Sequence, residues 1–181
     1  MTCIAGLVYG KDVYVGGDSA AVGGLSLTVR SDEKVFLNGD MLFGFTSSFR
    51  MGQILRYGFT PPKLHQGDDV YEYMVTRFVD AVRERFRSAG HLSVDRGQES
   101  AGTFLVGFQG RLFRIDSDFQ VGESLDRYDA VGCGQDIALG CLYAVKRSDG
   151  FKSPEKAILL SLEAAEAHSA GVRKPFHVLH T

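Results

Sequence analysis

Residues 2–19 of the chain read TCIAGLVYGKDVYVGGDS. Within this stretch Cys3–Val8 is an apolar run, and Val13–Val15 is a second, shorter one. The turn-forming pair Gly10-Lys11 lies between them. Two apolar runs joined by a short turn that contains glycine are typical of a β-hairpin. The stretch therefore predicts the first two strands of an antiparallel sheet.

The register of this hairpin decides which residues lie beside the N-terminus. If Tyr9 pairs with Asp12, counting along both strands places Thr2 opposite Ser19. Asp18 is then within one residue of the position opposite Thr2. The hairpin therefore predicts an ordered N-terminal segment with a carboxylate next to Thr2.

Thr2 carries two chemical groups that could act together. Because threonine has a small side chain, we expect processing to remove Met1 and to leave Thr2 with a free α-amine. A hydroxyl and an amine on one residue place a nucleophile and its general base within one backbone unit. The unperturbed α-amine has a pKa of roughly 7.7–8.0, so a modest decrease makes it a base at neutral pH. Many proteins begin with Met-Thr, so this interpretation depends on what the rest of the chain brings to Thr2.

The overall composition is that of a globular protein. The length of 181 residues fits one domain over residues 1–181, and 44% of the residues are hydrophobic and 23% charged. The net charge of −2, without a basic run, argues against a nucleic-acid-binding surface. There is no signal peptide pattern and no apolar stretch of about 18 residues, so we expect no membrane span and a cytoplasmic location.

The cysteine and histidine residues do not form a metal-binding pattern. The three cysteines, Cys3, Cys133 and Cys141, are odd in number and lack metal-ligand spacing, which favours reduced thiols over disulfides. The five histidines show no HExxH motif. We therefore predict neither a metal ion nor another cofactor. Cys3 is interpreted as a small buried apolar residue rather than as a nucleophile.

A second hairpin is predicted around Asn38-Gly39, the strongest short turn signal in the chain. It would join strands over residues 34–37 and 41–45, with Leu37 paired with Asp40. Placed beside the first hairpin in one small antiparallel sheet, it would gather four polar positions at one end. These are Thr2, Asp18, Lys34 and the Ser47-Ser48 loop.

The remaining elements alternate between groups of strands and pairs of helices. They are a loop over 21–25, a strand over 26–30, a short helix capped by Ser47 or Ser48 and ending at Gly58, a longer helix capped by Asp68-Asp69, a polar loop over 91–102, a hairpin over 103–115, strands over 119–121 and 128–131, a helix over 136–147, a last helix from Ser153-Pro154 to near Gly171, and a strand over 174–179. This order predicts the α+β class, with two antiparallel sheets face to face and a helix pair on each outer side, a four-layer αββα sandwich.

This order and the residues gathered near Thr2 resemble the proteasome β-subunit family of N-terminal nucleophile (Ntn) hydrolases, including the bacterial HslV-type peptidases. The resemblance covers essentially the whole chain. It is carried by Thr2, Val15-Gly16-Gly17-Asp18-Ser19, Glu33-Lys34-Val35-Phe36, Phe43-Gly44-Phe45-Thr46 and Gly132-Cys133-Gly134.

The resemblance implies a role for each matched residue. Thr2 would be the nucleophile, with its own amine acting as the base through a water molecule. Lys34 would lower the pKa of the Thr2 hydroxyl and amine by favouring their deprotonated forms. Asp18 would keep Lys34 charged and oriented. The backbone N–H of Ser48 would stabilise the oxyanion, although the family usually has glycine at that position.

Two further positions depart from the family pattern. Cys133 stands where the family has a serine near the terminal amine, and a thiol is the weaker hydrogen-bonding group. His168 stands in the segment where the family has an aspartate, and it could serve there as a polar partner. The resemblance also places a set of residues in the pocket for the substrate side chain: Ala21, Asp32, Phe36, Thr46 and Arg50.

The function implied by the resemblance is that of a threonine amidohydrolase, first of all a peptidase acting on peptides or proteins. Family members assemble as homo-oligomeric rings around an enclosed chamber, often with an AAA+ ATPase partner. Two alternatives remain on the same scaffold. One is an Ntn amidase acting on a small acyl-amide. The other is a catalytically silent assembly protein that keeps only the fold.

Overall fold

The computed structural model describes residues 1–148, 150–151 and 153–181. The strands are β1 (Cys3–Tyr9), β2 (Asp12–Gly17), β3 (Ala20–Gly23), β4 (Ser26–Val29), β5 (Val35–Asn38), β6 (Met41–Phe45), β7 (Ser93–Asp95), β8 (Gln98–Ser100), β9 (Phe104–Phe108), β10 (Arg111–Ile115), β11 (Val121–Glu123), β12 (Tyr128–Gly132) and β13 (His177–His180). The α-helices are α1 (Phe49–Gln53), α2 (Val70–Tyr73), α3 (Val79–Ser88), α4 (Gln135–Lys146) and α5 (Pro154–His168). A π-helical segment, Ile54–Gly58, continues α1, and a second, Met74–Phe78, joins α2 to α3.

Two antiparallel sheets form the centre of the molecule. The first has the strand order β12-β1-β2-β13, and the second has the order β11-β10-β9-β6-β5. Two smaller hairpins, β3–β4 and β7–β8, stand apart from both sheets. Both of these hairpins lie in segments for which the sequence predicted loops or a single strand.

Three apolar clusters separate the layers. Helices α4 and α5 pack on the first sheet, while α1, α2 and α3 with their π-helical segments pack on the second. The cluster between the two sheets consists of Ile4, Val8, Val13, Val15, Val35, Leu42, Leu105, Leu112 and Val131. The layers therefore run helix, sheet, sheet, helix, and the predicted αββα sandwich is confirmed.

The predicted register of the β1–β2 hairpin is confirmed. Tyr9 pairs with Asp12, and Ile4 pairs with Gly17 at the other end. The Asp18 N–H then donates to the Cys3 carbonyl at 3.3 Å, so the pairing continues toward the N-terminus. This register brings the Asp18 side chain to the start of β1.

The predicted register of the β5–β6 hairpin is wrong by two residues. Leu37 pairs with Leu42 instead of Asp40. The Phe45 N–H donates to the Lys34 carbonyl at 3.0 Å, so these two residues face each other.

The cause of this shift lies at the turn, which uses Gly39-Asp40 rather than Asn38-Gly39. Gly39 has a φ of +63°, as required at the first central residue of a type II′ turn. The Asn38 side chain donates to the carbonyls of Leu55 and Phe59 at 2.8 and 2.9 Å. These two hydrogen bonds fix Asn38 as the last residue of β5.

The predicted loops over 21–25 and 91–102 are each part of a hairpin instead. The first hairpin turns at Gly24-Leu25, where Gly24 has a φ of +59°. The second turns at Arg96-Gly97, where both residues have positive φ, as in a type I′ turn. Glu99 on β8 forms ion pairs with Arg83 and Arg87 of α3, so the second hairpin is tied to the helix.

The predicted helices are present with small changes at their ends. Ser48 caps α1 with its side chain, Asp69 caps α2, and Ser153 caps α5 ahead of Pro154. The last helix ends at His168 rather than near Gly171. The strand predicted over 119–121 runs from Val121 to Glu123.

The two hairpins predicted to share one small sheet belong to different sheets. Strands β1 and β2 lie in the first sheet, whereas β5 and β6 lie in the second. Gly17 allows the two to approach, because a Cβ at this position would be 3.2 Å from Val35 Cγ1 in the other sheet. Lys34 therefore reaches Thr2 and Asp18 across the interface between the sheets.

Among the described residues, no helix combines the length and the apolar character that crossing a membrane requires.

Candidate active site

Thr2, Asp18 and Lys34 meet at the ends of the two sheets. The Lys34 ammonium donates to Thr2 Oγ1 at 3.0 Å and to Asp18 Oδ1 at 2.8 Å. The exposed fractions are 5% for Thr2 and 1% for both Asp18 and Lys34. Thr2 and Asp18, brought together by counting along the hairpin, and Lys34, implied by the family resemblance, thus form one buried hydrogen-bonded cluster.

The protonation state of Lys34 follows from its partners. Its third hydrogen bond goes to the Ala20 carbonyl at 2.6 Å. Three acceptors need three hydrogens, and only the charged ammonium has them. Burial lowers the pKa of Lys34 by disfavouring the charged form, while the Asp18 carboxylate opposes this shift. The contacts therefore describe a lysine that is charged but carries a depressed pKa.

The Asp18 carboxylate is fixed by backbone donors as well as by Lys34. Oδ1 accepts from the Cys3 N–H at 3.0 Å. Oδ2 accepts from the N–H groups of Ala20 and Arg173 at 2.9 and 3.2 Å. Hydrogen bonds to an ionised acceptor stabilise its charged form. Asp18 is therefore held in one orientation before any substrate is present.

The Gly132-Cys133-Gly134 turn holds the backbone of Thr2. The Gly134 N–H donates to the Thr2 carbonyl at 3.3 Å. Gly132 has a φ of +101°, and a Cβ there would lie 2.2 Å from the Thr2 carbonyl oxygen. A side chain at position 132 would thus collide with the backbone that carries the hydroxyl.

Cys133 contacts the nitrogen of Thr2. The Thr2 N–H donates to Cys133 Sγ at 3.3 Å, and the same sulfur is 3.4 Å from Ser169 Oγ. His168, predicted to support this side, is exposed at the end of α5, and among the described residues no hydrogen bond joins it to the cluster. Ser169 takes that place instead, because the chain leaves the helix at this point and turns toward Cys133. In the sequence, the only indication of this role was that Ser169 directly follows His168.

The predicted oxyanion donor is engaged within its own loop. The Ser48 N–H donates to the Thr46 carbonyl at 2.8 Å, around Ser47, whose φ is +68°. This i→i+2 bond defines a γ-turn of the rarer, strained type. The Ser47 hydroxyl accepts from the Thr103 N–H at 3.2 Å and so anchors the turn. A substrate oxyanion would have to compete with the Thr46 carbonyl for this donor.

A cavity of about 320 Å³ opens beside Thr2. It lies between the β3–β4 hairpin and the turn that leads into α1, and Phe45 and Phe49 contribute its aromatic surface. Two of the five predicted pocket residues, Ala21 and Thr46, line it. Met1 lines it as well, so its removal would enlarge the opening.

The other three predicted pocket residues do not line this cavity. Phe36 is 2% exposed and stacks on Phe43 in the core beneath the second sheet, since its side chain points to the helix-covered face. Asp32 forms a bidentate ion pair with Arg30. Arg50 is exposed on α1. The prediction of Phe36 as a pocket residue is corrected by its burial.

The environment of Cys3 makes its thiol a poor nucleophile. It is fully buried, and burial, assisted by the nearby Asp18 carboxylate, raises the pKa of its thiol to about 12. The thiolate, not the thiol, is the nucleophilic form. Cys3 therefore behaves as a small apolar core residue.

Comparisons with solved structures identify the fold. The protein BPH of Thiobacillus denitrificans, solved in complex with epoxomicin, has a TM-score of 0.82 and 20% identity, covering 99% of this chain and 98% of that chain. The eukaryotic HslV of Trypanosoma brucei has a TM-score of 0.70 and 20% identity, covering 99% and 98%. Anbu of Yersinia bercovieri has a TM-score of 0.65 and 15% identity, covering 99% and 81%.

The chain thus has the sandwich fold of the proteasome-like Ntn hydrolases. No sequence profile of a protein family matches it, and no curated protein matches it by sequence. The likeness at this level of identity concerns the fold, and the activity has to be argued from the site.

Proposed function

We propose that the chain is an N-terminal threonine hydrolase that cleaves amide bonds of peptides and proteins, with Thr2 as its nucleophile. The observation that carries the proposal is the buried Lys34 ammonium, 3.0 Å from Thr2 Oγ1 and 2.8 Å from Asp18 Oδ1. Burying a charge is costly unless it is paired and hydrogen-bonded, and such clusters are frequent at functional sites. The proteasome-like fold supports the same proposal.

Removal of Met1 would prepare the nucleophile in two ways. The Thr2 hydroxyl donates to the Met1 carbonyl at 2.6 Å, and this acceptor leaves together with Met1. At the same time the Thr2 nitrogen becomes an amine that can accept a proton. The positive charge of Lys34 would favour the deprotonated forms of that amine and of the hydroxyl. Thr2 would then combine an activated hydroxyl with its own base.

The reaction would proceed through an ester on Thr2. The hydroxyl proton passes through a water molecule to the amine while Oγ1 attacks the substrate carbonyl carbon. The protonated amine then gives this proton to the leaving nitrogen, and the C–N bond breaks. A second water, deprotonated by the same amine, hydrolyses the ester and restores the hydroxyl.

The tetrahedral intermediate needs donors for its oxyanion. We assign the Ser48 N–H to this role, although it is bonded to the Thr46 carbonyl before substrate arrives. A hydrogen bond to a charged acceptor is about twice as strong as one to a neutral acceptor, so the oxyanion would draw the donor away. Losing one such donor typically costs about 10²–10³ in rate.

We extend the proposal to the assembly and location of the chain. The chain would act as a single domain in a homo-oligomeric ring in the cytoplasm, with an AAA+ ATPase as a candidate partner. All three residues of the cluster come from one chain, so the ring would control access rather than complete the chemistry.

The test compares hydrolysis by the wild-type chain with that by Thr2→Ala and Lys34→Met. The substrates are fluorogenic peptides and a matched panel of small acyl-amides. We expect peptide hydrolysis that Thr2→Ala abolishes. Lys34→Met should reduce it at least about 10²-fold, the lower range for acid–base catalysis, because the Thr2 amine and hydroxyl would lose the charge that favours their deprotonated forms. Tyr57→Ala, on a side chain that is 78% exposed, serves as the control.

The alternatives predict other results. Hydrolysis of acyl-amides alone would indicate the small-molecule amidase. Retention of Met1 in the intact mass together with no hydrolysis would indicate the silent assembly protein. Activity that survives in Thr2→Ala would contradict the proposed nucleophile.

A further inference from the structure

The cavity beside Thr2 is lined without a charged side chain. Its lining residues, taken from the described part of the chain, are apolar, small or hydroxyl-bearing. Lys34, whose ammonium contacts the Thr2 hydroxyl, is already paired with Asp18. A charged substrate group entering this space would lose its water without gaining an ionic partner.

Two phenylalanine rings form the aromatic wall of the cavity. The rings of Phe45 and Phe49 have centroids 5.8 Å apart and meet edge to face at 81°. This is a preferred arrangement for aromatic pairs. Both rings line the cavity, so an incoming side chain would contact them directly.

Phe45 cannot move away from the cavity without displacing α1. Its ring packs on Gly52, where a Cβ would be 2.2 Å from Phe45 Cε1. Phe45 is 4% exposed and belongs to the core under the second sheet. The wall on this side is therefore rigid.

Two cations lie over the Phe49 ring. The guanidinium carbon of Arg30 is 4.0 Å from the centroid of the Phe49 ring, and the Lys34 nitrogen is 5.6 Å from it. Cations over an aromatic face attract it electrostatically. Lys34 also contacts the Thr2 hydroxyl, and Thr2 and Phe49 line the same cavity, so the ring and the reacting oxygen face one space.

Asp32 fixes the position of Arg30. The guanidinium binds both carboxylate oxygens, with Nε to Oδ1 at 2.5 Å and Nη2 to Oδ2 at 2.6 Å. The bidentate pair holds the guanidinium carbon over the Phe49 ring. The positive charge of Arg30 and the negative charge of Asp32 neutralise each other, so neither side chain is available as an ionic partner for a substrate.

We propose that this cavity selects an uncharged apolar side chain on the acyl side of the cleaved bond, and that Phe49, positioned by the Arg30–Asp32 pair, limits the size of that side chain. The inference rests on the proposed function. Burying an apolar side chain is favourable in proportion to its area, whereas an unpaired charge is penalised. Asp32 therefore acts through Arg30 and Phe49 rather than by touching substrate.

The test uses fluorogenic peptides that differ only in the residue before the cleaved amide: Ala, Leu, Phe, Arg or Glu. We expect kcat/KM for the Leu peptide to exceed that for the Arg and Glu peptides at least about tenfold. Because single methylene groups change discrimination about 10–200-fold, Phe49→Ala should raise the Phe-to-Leu ratio of kcat/KM by about tenfold. Phe49→Leu should raise it less, and it provides a milder change should Phe49→Ala not fold. Tyr57→Ala, also an aromatic residue replaced by alanine, should leave the ratio unchanged.

Treatment with a peptide epoxyketone, followed by peptide mapping of Thr2, separates failure of the selectivity inference from failure of the proposed function. A preference for Arg or Glu, or a Phe-to-Leu ratio unchanged in both Phe49 variants, would overturn the inference and leave the proposed function standing. An adduct on Thr2 without hydrolysis of any peptide in the series would also overturn the inference alone. The absence of both adduct and hydrolysis would overturn the proposed function and the inference with it.

Discussion

Lys34 combines two opposing electrostatic effects in one side chain. Burial of an ion costs several kcal/mol even after relaxation, and this cost is recovered only where the geometry satisfies both partners. Here the ammonium has three acceptors, and the Asp18 carboxylate accepts three backbone N–H groups besides Lys34. The site therefore holds its charges in fixed positions, which is the form of electrostatic preorganisation that catalysis uses.

The buried thiol of Cys3 gives a prediction about alkaline pH. Its folded-state pKa is about 12, against roughly 8.5 for an unfolded cysteine. Between these values the folded chain keeps a proton that the unfolded chain releases, so the free energy of unfolding decreases as pH rises. Cys3→Ala removes this dependence.

We therefore expect the stability difference, wild type minus Cys3→Ala, to fall with a slope approaching about 1.4 kcal/mol per pH unit above roughly pH 9. Urea denaturation at a series of pH values measures it. Using the difference cancels the alkaline contribution of Lys34, whose lowered pKa acts in the opposite direction. A stability difference that stays constant up to pH 10.5 would contradict the raised pKa of the Cys3 thiol.

Sequence and structure agree at the residue scale where the pairing is local. Thr2 and Asp18 could be placed together because the β1–β2 turn sets their register within a few residues. The direction of the Ser48 N–H could not be predicted, since it depends on the positive φ of Ser47, a residue with no strong preference for that region. The contact of Ser169 with Cys133 depends on where α5 ends, which sequence patterns locate poorly.

At the scale of elements, turn chemistry explains most of the differences. Asn38-Gly39 is a strong hairpin signal, yet the Asn38 side chain is used to bond two carbonyls of the π-helical segment. That use requires Asn38 to remain in the strand, so the turn moves on by one residue. Such tertiary contacts of a turn residue are invisible in the local sequence.

Close contact between elements gives a prediction about two glycines. A Cβ on Gly44 of β6 would lie 2.5 Å from Ile4 Cγ2 and 2.7 Å from Val15 Cγ1, in the interface between the sheets. Gly140 of α4 has no atom within 4 Å of its Cβ position. Gly44→Ala should lower the free energy of unfolding by about 1–3 kcal/mol through overpacking.

Gly140→Ala is the matched control for this prediction. It should raise the free energy of unfolding by about 0.5–1 kcal/mol, because alanine is the better helix former. Chemical denaturation of both variants and of the wild type measures these changes in the free energy of unfolding. A Gly44→Ala variant as stable as Gly140→Ala would contradict the tight packing of the sheets near the site.

At the scale of the whole molecule, the order of elements was sufficient to predict the four layers. Alternating groups of strands and helix pairs leave few ways to bury every apolar face, and the αββα sandwich is one of them. The assignment of hairpins to sheets was not predictable, because the local pairing of β1–β2 and β5–β6 is the same in either arrangement. The actual division places the Lys34 side chain across the interface, so the layers themselves assemble the candidate site.

Peptide mapping by mass spectrometry after treatment with a peptide epoxyketone tests directly whether Thr2 is the nucleophile. This reagent offers two electrophilic carbons, so it can bond both the hydroxyl and the amine of one N-terminal threonine. We expect a chain that lacks Met1 and carries a single adduct on Thr2, absent in Thr2→Ala and strongly slowed in Lys34→Met. A chain that retains Met1, or an adduct that forms on Cys133 while Thr2 stays unmodified, would contradict this role of Thr2.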